Sequence, residues 1–574
     1  MPPLLQCHRL RHAAGTKTLF QNLDLTINGG DRIGLVGHNG CGKSTLFSLL
    51  NGNATPDEGD LSRSRDLKLE TVEQFIDDAL LPFTLLEAVM VKLPEEHQAS
   101  EQYKAEKLLE QLGFAAGEFH QTTLDLSGGQ QNRLMFARAL ITEPNLILFD
   151  EPTNHLDLRT LILFEKYLKQ LPIAYLLISH DRQFLDAVTD RTVFLRDERL
   201  YYFDQPFSQA KDSLDAQDEA AELAREQEEK DIKRLETSAQ RLATWGKVFD
   251  SEKFAKKAKS MEKRIDKMRE NQTFVSKGSG LNLTIEVGSA HANRMLQIEH
   301  HDALAPDQLP LFHIEDFMIR PGQRVALMGH NGAGKTTLIN MIMNGYQLNR
   351  ETGPVKFNPQ CEIGYYDQEL ALINENRSMT ESLRDNCGGS DAELKSALIK
   401  AGFPYLDLDK KVSVLSGGEK ARLMFLIIKM NQPNFLILDE PTNHIDIQGK
   451  EQLEAQILET NATILITSHD RRFVDNIADR FVLIKEGKLQ EINHPNEFYL
   501  NMPSAKRSTK TGNTKNHSMK SSATSQAPVE DVLTRIIELE TLLEEDRARK
   551  PKFQKLKKQD AWQQELTELN QKLD

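Results

Sequence analysis

Two stretches of the chain set a lysine and a hydroxyl directly after spaced glycines: Gly37-x4-Gly42-Lys43-Ser44 and Gly329-x4-Gly334-Lys335-Thr336. Glycines let backbone N–H groups converge on an anion, a lysine neutralises phosphate oxygens, and a hydroxyl can ligate a divalent cation. The runs Gly37, His38, Asn39, Gly40, Cys41, Gly42, Lys43, Ser44, Thr45 and Gly329, His330, Asn331, Gly332, Ala333, Gly334, Lys335, Thr336, Thr337 are therefore candidate cradles for ATP. Asp150 and Asp439 end apolar runs, where a carboxylate can hold Mg2+ together with Ser44 or Thr336. Glu151 and Glu440 follow them, placed to accept a proton from an attacking water. His180 and His469 close the next apolar run in each case, at matching offsets that favour contact with the γ-phosphate or the water.

These groups must be carried by strand ends and helix starts, and the chain supplies such elements twice. Ser127 and Ser416, Asp150 and Asp439, and His180 and His469 each differ by 289 positions. Short apolar runs (Ile33 to Val36, Leu146 to Phe149, Tyr175 to Ile178; Val325 to Met328, Phe435 to Leu438, Thr463 to Thr467) read as buried parallel strands with helices between them. The expected organisation is an α/β domain at 1–205, a charged helical linker at 206–292, a second α/β domain at 293–500, a basic disordered stretch at 501–530 and a helical hairpin at 531–574.

Composition narrows the class. A hydrophobic share of 39 % over 574 residues supports several packed cores, and no apolar run reaches the roughly 20 residues that span a bilayer. The start of the chain lacks a signal-peptide pattern, so a cytoplasmic protein is expected. Four scattered cysteines form no C-x-x-C pair, which argues against a zinc or iron–sulfur framework. The formal charge of −14 confines any nucleic-acid contact to locally basic segments.

LSGGQ from Leu126 and LSGGE from Leu415 lie between cradle and carboxylate pair in each copy, and with them the chain resembles the ABC ATPase superfamily. The resemblance implies that the signature of one half faces the cradle of the other. Ser127, Gly128, Gly129 and Gln130 would then complete the site on Lys335, and Ser416, Gly417, Gly418 and Glu419 the site on Lys43. EPTNHLD at Glu151 to Asp157, EPTNHID at Glu440 to Asp446 and the long charged connector make the finer resemblance one to the ABC-F family. That family implies two tandem P-loop ABC ATPase domains joined by a helical hairpin, closing on two Mg-ATP and binding the ribosome, with the connector directed from the exit site toward the peptidyl-tRNA. It also implies Gln74 and Gln368 as glutamines that sense Mg2+ and the γ-phosphate. Two departures stand out: neither His12 to Gly15 nor His300 to Asp302 offers the family's adenine-stacking aromatic, and the interval from Gln74 to Ser127 is too short for a large inserted arm.

The connector spaces Ile232, Leu235, Ala239 and Leu242 by 3-4-3, and Phe254, Ala258, Met261, Ile265 and Met268 by 4-3-4-3, as two helices of a hairpin would. Its acidic first half gives way to Lys247, Lys253, Lys256, Lys257, Lys259, Lys263, Arg264 and Lys267, interleaved with Trp245, Phe249 and Phe254. That pattern suits RNA, or forms a solvated spacer, and the ABC-F resemblance implies that the RNA is rRNA and tRNA. The C-terminal hairpin, with a basic turn at Arg547 to Lys558, resembles the C-terminal coiled coil of some ABC-F members, which implies nucleic-acid contact, DNA included; a packing or dimer role is the alternative. A duplicated transporter ATPase and a DNA-processing ABC ATPase are the alternative functions, and a monomer sandwiching its own nucleotides is the expected functional unit.

Overall fold

In the computed structural model the described residues are 3–500, apart from 16, 74–75, 154–155, 157, 249–251, 271, 274–293, 306–308, 349–352, 369, 371–372, 444 and 461. The expected C-terminal hairpin and the basic stretch before it lie outside them, as does Gln74.

Among the described residues the first half contributes nine strands: β1 (Pro3–Ala14), β2 (Lys17–Asn28), β3 (Arg32–Val36), β4 (Glu58–Arg63), β5 (Leu69–Val72), β6 (Leu146–Asp150), β7 (Ala174–Ile178), β8 (Arg191–Arg196) and β9 (Arg199–Phe203). Continuous apolar sequence becomes parallel strand here because helices cover both faces; in β6 the run Leu146 to Phe149 is fully buried. The main sheet has the order β5-β6-β7-β3-β8-β9, beside a three-stranded antiparallel sheet β2-β1-β4. The second half repeats the plan with β10 (Leu296–Leu304), β11 (Pro310–Ile319), β12 (Arg324–Met328), β13 (Val355–Phe357), β14 (Ile363–Tyr366), β15 (Phe435–Asp439), β16 (Thr463–Thr467), β17 (Arg480–Lys485) and β18 (Lys488–Ile492). There a parallel pairing of His313 with Lys488 joins the two layers into one sheet, β13-β10-β11-β18-β17-β12-β16-β15-β14. The corresponding seam of the first half has the main-chain bond from Gln21 N to Glu198 O at 2.9 Å.

Between the halves runs a 42-residue helix, Phe207–Val248, which is about 60 Å long at 1.5 Å per residue. Its partner Glu252–Glu270 returns along it. The spacing read from sequence reappears as packing: Ile232, Ala239 and Ile265 are buried together, with Leu235, Met261 and Met268 against them. At the base of the hairpin Glu228 accepts bonds from the Thr273 amide at 2.9 Å and hydroxyl at 2.7 Å. Lys253, Lys256, Lys257, Lys259, Lys263, Arg264 and Lys267 are exposed on the second helix, and Trp245 is half exposed; Phe249 and the side chain of Phe254 are outside the described residues.

The halves also share a core. Met328, Ile447, Val474, Leu483 and Phe498 of the second half belong to the same apolar cluster as Val36, Phe194 and Phe207. Phe207 opens the connector helix, so the connector is rooted where the halves meet. Both halves and the connector fall within one compact unit, Met1–Ala505.

Candidate nucleotide site

Each glycine-rich loop links a buried strand to a helix: β3 to Lys43–Asn51, and β12 to Lys335–Leu348. Gly42 and Gly334 precede these helices with φ of 103° and 100°, a region that disfavours any residue with a Cβ. Space forbids a side chain as well, since a Cβ would stand 2.9 Å from the Phe20 ring and 2.8 Å from that of Phe312. Lys43 Nζ donates to the carbonyls of Gly37 (2.7 Å) and His38 (3.3 Å); Lys335 Nζ does so to Gly329 (2.9 Å) and His330 (3.4 Å). The ammonium groups are thus held over their own loops, where phosphate oxygens would meet them.

The carboxylates lie beside the hydroxyls. Asp150 hydrogen-bonds with Ser44, and Thr336 Oγ1 is 3.5 Å from Asp439 Oδ2, while Thr467 also donates to Asp439. Burial raises both aspartate pKa values above the ordinary range. One hydroxyl and one carboxylate per site, all hard oxygen donors, fit Mg2+, which keeps most of its coordination for phosphate and water. No cluster of three or more His, Cys, Asp or Glu that could enclose a metal occurs among the described residues.

Glu151 and Glu440 share an unusual backbone, with φ of 48° and 50°. Both are buried. His180 Nε2 lies 3.0 Å from Glu151 Oε1; His469 Nε2 lies 3.5 Å from Glu440 Oε1, and the His469 amide donates to Glu440 Oε2 at 3.1 Å. Burial lifts the Glu151 pKa to about 7, with Lys43 opposing the rise and Asp150 adding to it. Burial, aided by the charges of Lys43 and Lys450, holds the His180 pKa well below the usual histidine range, so its ring is neutral. A neutral imidazole beside a buried carboxyl of near-neutral pKa is a pair suited to moving one proton from water.

A single cavity of about 980 Å³ takes in both sites. Its walls include Asn39, Gly40, Lys43, Ser44, Thr45, Glu151 and His180 of the first half, and Asn331, Gly332, Lys335, Thr336, Thr337, Gln368, Glu440 and His469 of the second. Ser416, Gly417 and Gly418 also line it, and a neighbouring cleft brings Ser416, Gly418 and Glu419 against His38, Asn39 and Gly40. Across the same seam the Asn39 amide donates to Asp446 Oδ2 at 2.9 Å. The second signature therefore stands at the first loop. Ser127, Gly128 and Gly129 are not on the cavity wall. Both signature serines cap helices, Gly128–Leu140 and Gly417–Asn431, and Gln130 and Glu419 close the capping boxes by accepting from the serine amides at 3.0 and 2.8 Å. Cys41 is buried, with its Sγ facing the Gly37 Cα side of the loop, and Ala333 holds the matching place at Gly329. Near the first loop the cavity wall includes Ala14, Lys17 and Leu19, and the Phe20 ring packs behind Gly42.

Sequence reasoning missed the charges that join the halves. Arg182 forms a buried bidentate pair with Glu454, Arg471 pairs with Glu165, and Lys450 spans from Asp470 to the carbonyl of His180. The 289-residue offset maps Arg182 onto Arg471 and Glu165 onto Glu454, so the two arginine pairs are one contact made twice about a pseudo-twofold axis. The repeat could have exposed these residues as matching charges, but it names no partner for them.

Two P-loops, two strand-end carboxylate pairs and a signature helix reaching across from the opposite half define a tandem ATP-binding cassette ATPase. Comparison with known proteins agrees. The family described as ABC transporter matches residues 20–154 and 312–443. The chain is 30 % identical over 535 residues to the ATP-binding protein YdiF of Bacillus subtilis, covering 86 % of this chain and 82 % of that protein. It is 29 % identical to the ribosome protection protein VmlR of the same organism (83 % and 85 % covered) and 28 % identical to ABC transporter F family member 5 of Arabidopsis thaliana (84 % and 75 %). The fold is shared with the solved structure titled RNase-L Inhibitor, at a TM-score of 0.54 and 19 % identity, covering 86 % of this chain and 92 % of that one. The chain belongs to the ABC-F family and is an ATPase. No helix among its described residues is long and apolar enough to cross a membrane.

Proposed function

We propose that the protein closes on two Mg-ATP, binds the ribosome in that closed form and leaves after hydrolysis. The observation that carries the reading is the seam itself: the second signature and Asp446 stand on the first P-loop, so a triphosphate there would touch both halves. In this reading Lys43 and Lys335 hold β- and γ-phosphate oxygens, aided by the loop amides and the signature helix N-terminus. Ser44 with Asp150, and Thr336 with Asp439, would hold Mg2+, which would supply positive charge to offset that of the phosphates. Glu151 and Glu440 accept the proton of the attacking water, and His180 and His469 steady it beside the γ-phosphate. Ribosome binding is supported by the likeness to VmlR, a ribosome protection protein, and by the exposed cations on Glu252–Glu270, which suit rRNA or tRNA phosphates.

The test is co-sedimentation. With Glu151→Gln and Glu440→Gln combined, hydrolysis is blocked and the closed form persists, so the variant is expected to pellet with 70S ribosomes in Mg-ATP and to stay in the supernatant without nucleotide. Equal, nucleotide-independent recovery would contradict the proposal.

A further inference from the structure

Lys450 breaks the internal repeat. By the 289-residue offset it stands where the first half has Leu161, and both residues line the same cavity. Lys450 sits in the first turn of the helix Ile447–Glu459, capped by Asp446, and is 5 % exposed. Its Nζ donates to the main-chain oxygen of His180, in the opposite half, at 2.9 Å, and to Asp470 Oδ2, in its own half, at 2.9 Å. Asp470 directly follows His469. One ammonium thus ties together the two segments that carry the site histidines. A buried ammonium persists only where it is paired and hydrogen-bonded, so these two bonds fix its place and, through it, the place of the His180 main chain.

The counterpart lacks this device. Leu161 offers no donor to the His469 carbonyl. The two histidines differ accordingly: His180 is 3.0 Å from its glutamate with a side chain 17 % exposed, whereas His469 is 3.5 Å from its own and 31 % exposed.

We propose that Lys450 is a positioning residue of the first nucleotide site supplied by the second half, and that the lack of a matching donor at Leu161, across the seam from His469, makes the two sites inequivalent. Lys450 acts through His180 and does not itself touch the reacting atoms. Turnover over Glu151 then depends on the donor that Lys450 supplies from the opposite half, whereas the second site receives no such donor from the first half and depends on Lys450 only through Asp470 of its own half.

The inference rests on the reading of Glu151 and Glu440 as the bases of their sites, so the test begins from single-site backgrounds. Glu440→Gln leaves the first site competent and Glu151→Gln the second, each followed by single-turnover phosphate release. In the first background Lys450→Met is expected to lower the rate at saturating Mg-ATP roughly ten-fold or more, while the half-saturating concentration moves less than about two-fold. Lys450→Arg, which keeps a charged donor, is expected to recover most of that rate. In the second background Lys450→Met, which still frees Asp470 beside His469, should lower the rate by a clearly smaller factor than in the first. Equal losses in both backgrounds, no loss in the first, or failure of Arg to rescue would each overturn the inference. The reciprocal Leu161→Lys keeps the test decisive if Lys450→Met does not fold: it should raise the second-site rate, and an unchanged or lowered rate counts against the proposal. If the glutamine backgrounds fail to silence their own sites, the reading of the bases falls and the inference with it; if they do silence them and Lys450→Met has no effect, the inference alone falls.

Discussion

A φ near 50° costs a residue with a Cβ about 1–2 kcal/mol, yet Glu151 and Glu440 both adopt it, held by main-chain bonds to the carbonyls of Ile178 and Thr467 at 3.0 Å. Strain repeated at two equivalent positions marks a geometry the site requires, because it sets a carboxylate beside the metal-side aspartate with the histidine behind it. Glu151→Gln with Glu440→Gln keeps that backbone and should lower steady-state ATP hydrolysis by about 10²–10⁴-fold with nucleotide binding retained, as measured by phosphate release and by fluorescent-nucleotide titration. Asp181 supplies a second residue-level expectation. Burial and the neighbouring Asp470 raise its pKa to about 6, whereas Lys450 and Arg182 outweigh burial at Asp470 and lower that one. An acid whose folded pKa is raised binds more protons folded than unfolded, so its contribution to stability is lost as pH rises from about 4 to about 6. Asp181→Asn keeps an oxygen for the Phe184 amide, and the variant should gain on the wild type in urea midpoint as pH climbs through that window. Parallel pH profiles would refute the assignment.

Among the elements, the connector hairpin was the most legible part outside the sites, since 3-4 apolar spacing dictates which faces of two helices meet. Its cations follow the same logic, standing opposite the buried Ala258 and Ile265. Replacing Lys256, Lys257 and Lys263 with Gln should weaken binding to RNA without changing sequence preference. It should also flatten log affinity against log salt by about 0.7 for each phosphate no longer neutralised. An unchanged salt slope would make the helix a spacer. The motifs were legible for a similar reason: chemistry fixes residue type and spacing at Gly42, Lys43, Asp150 and Glu151, and duplication shows each fixed twice. The join of layers at His313 and Lys488 was not, because one strand pair at a sheet seam leaves no pattern in the sequence. The capping role of Gln130 and Glu419 is legible too, since Ser-x-x-Gln and Ser-x-x-Glu before a helix spell a capping box.

For the molecule as a whole, the halves are bound to each other at their base by Arg182–Glu454, Arg471–Glu165 and the shared apolar cluster. Pairing across the seam could not be read from one chain, since periodicity reports what an element buries and not which partner buries it. Glu454→Ala strips Arg182 of its bidentate partner and leaves it only Asp470 at 3.9 Å, so it should cost about 3 kcal/mol in chemical denaturation, and Arg182→Met with Glu454→Leu less. On this frame nucleotide at each P-loop would be shared with the signature of the opposite half, as the second signature at the first loop suggests. The measurement that tests this most directly is the distance between nitroxide labels at the exposed Leu124, beside the first signature, and the exposed Leu304, near the second site, in the Glu151→Gln, Glu440→Gln protein with its native cysteines replaced. Saturating Mg-ATP is predicted to give a shorter and narrower distance distribution than the nucleotide-free protein. An identical distribution, with nucleotide shown to be bound, would contradict closure on two shared ATP molecules.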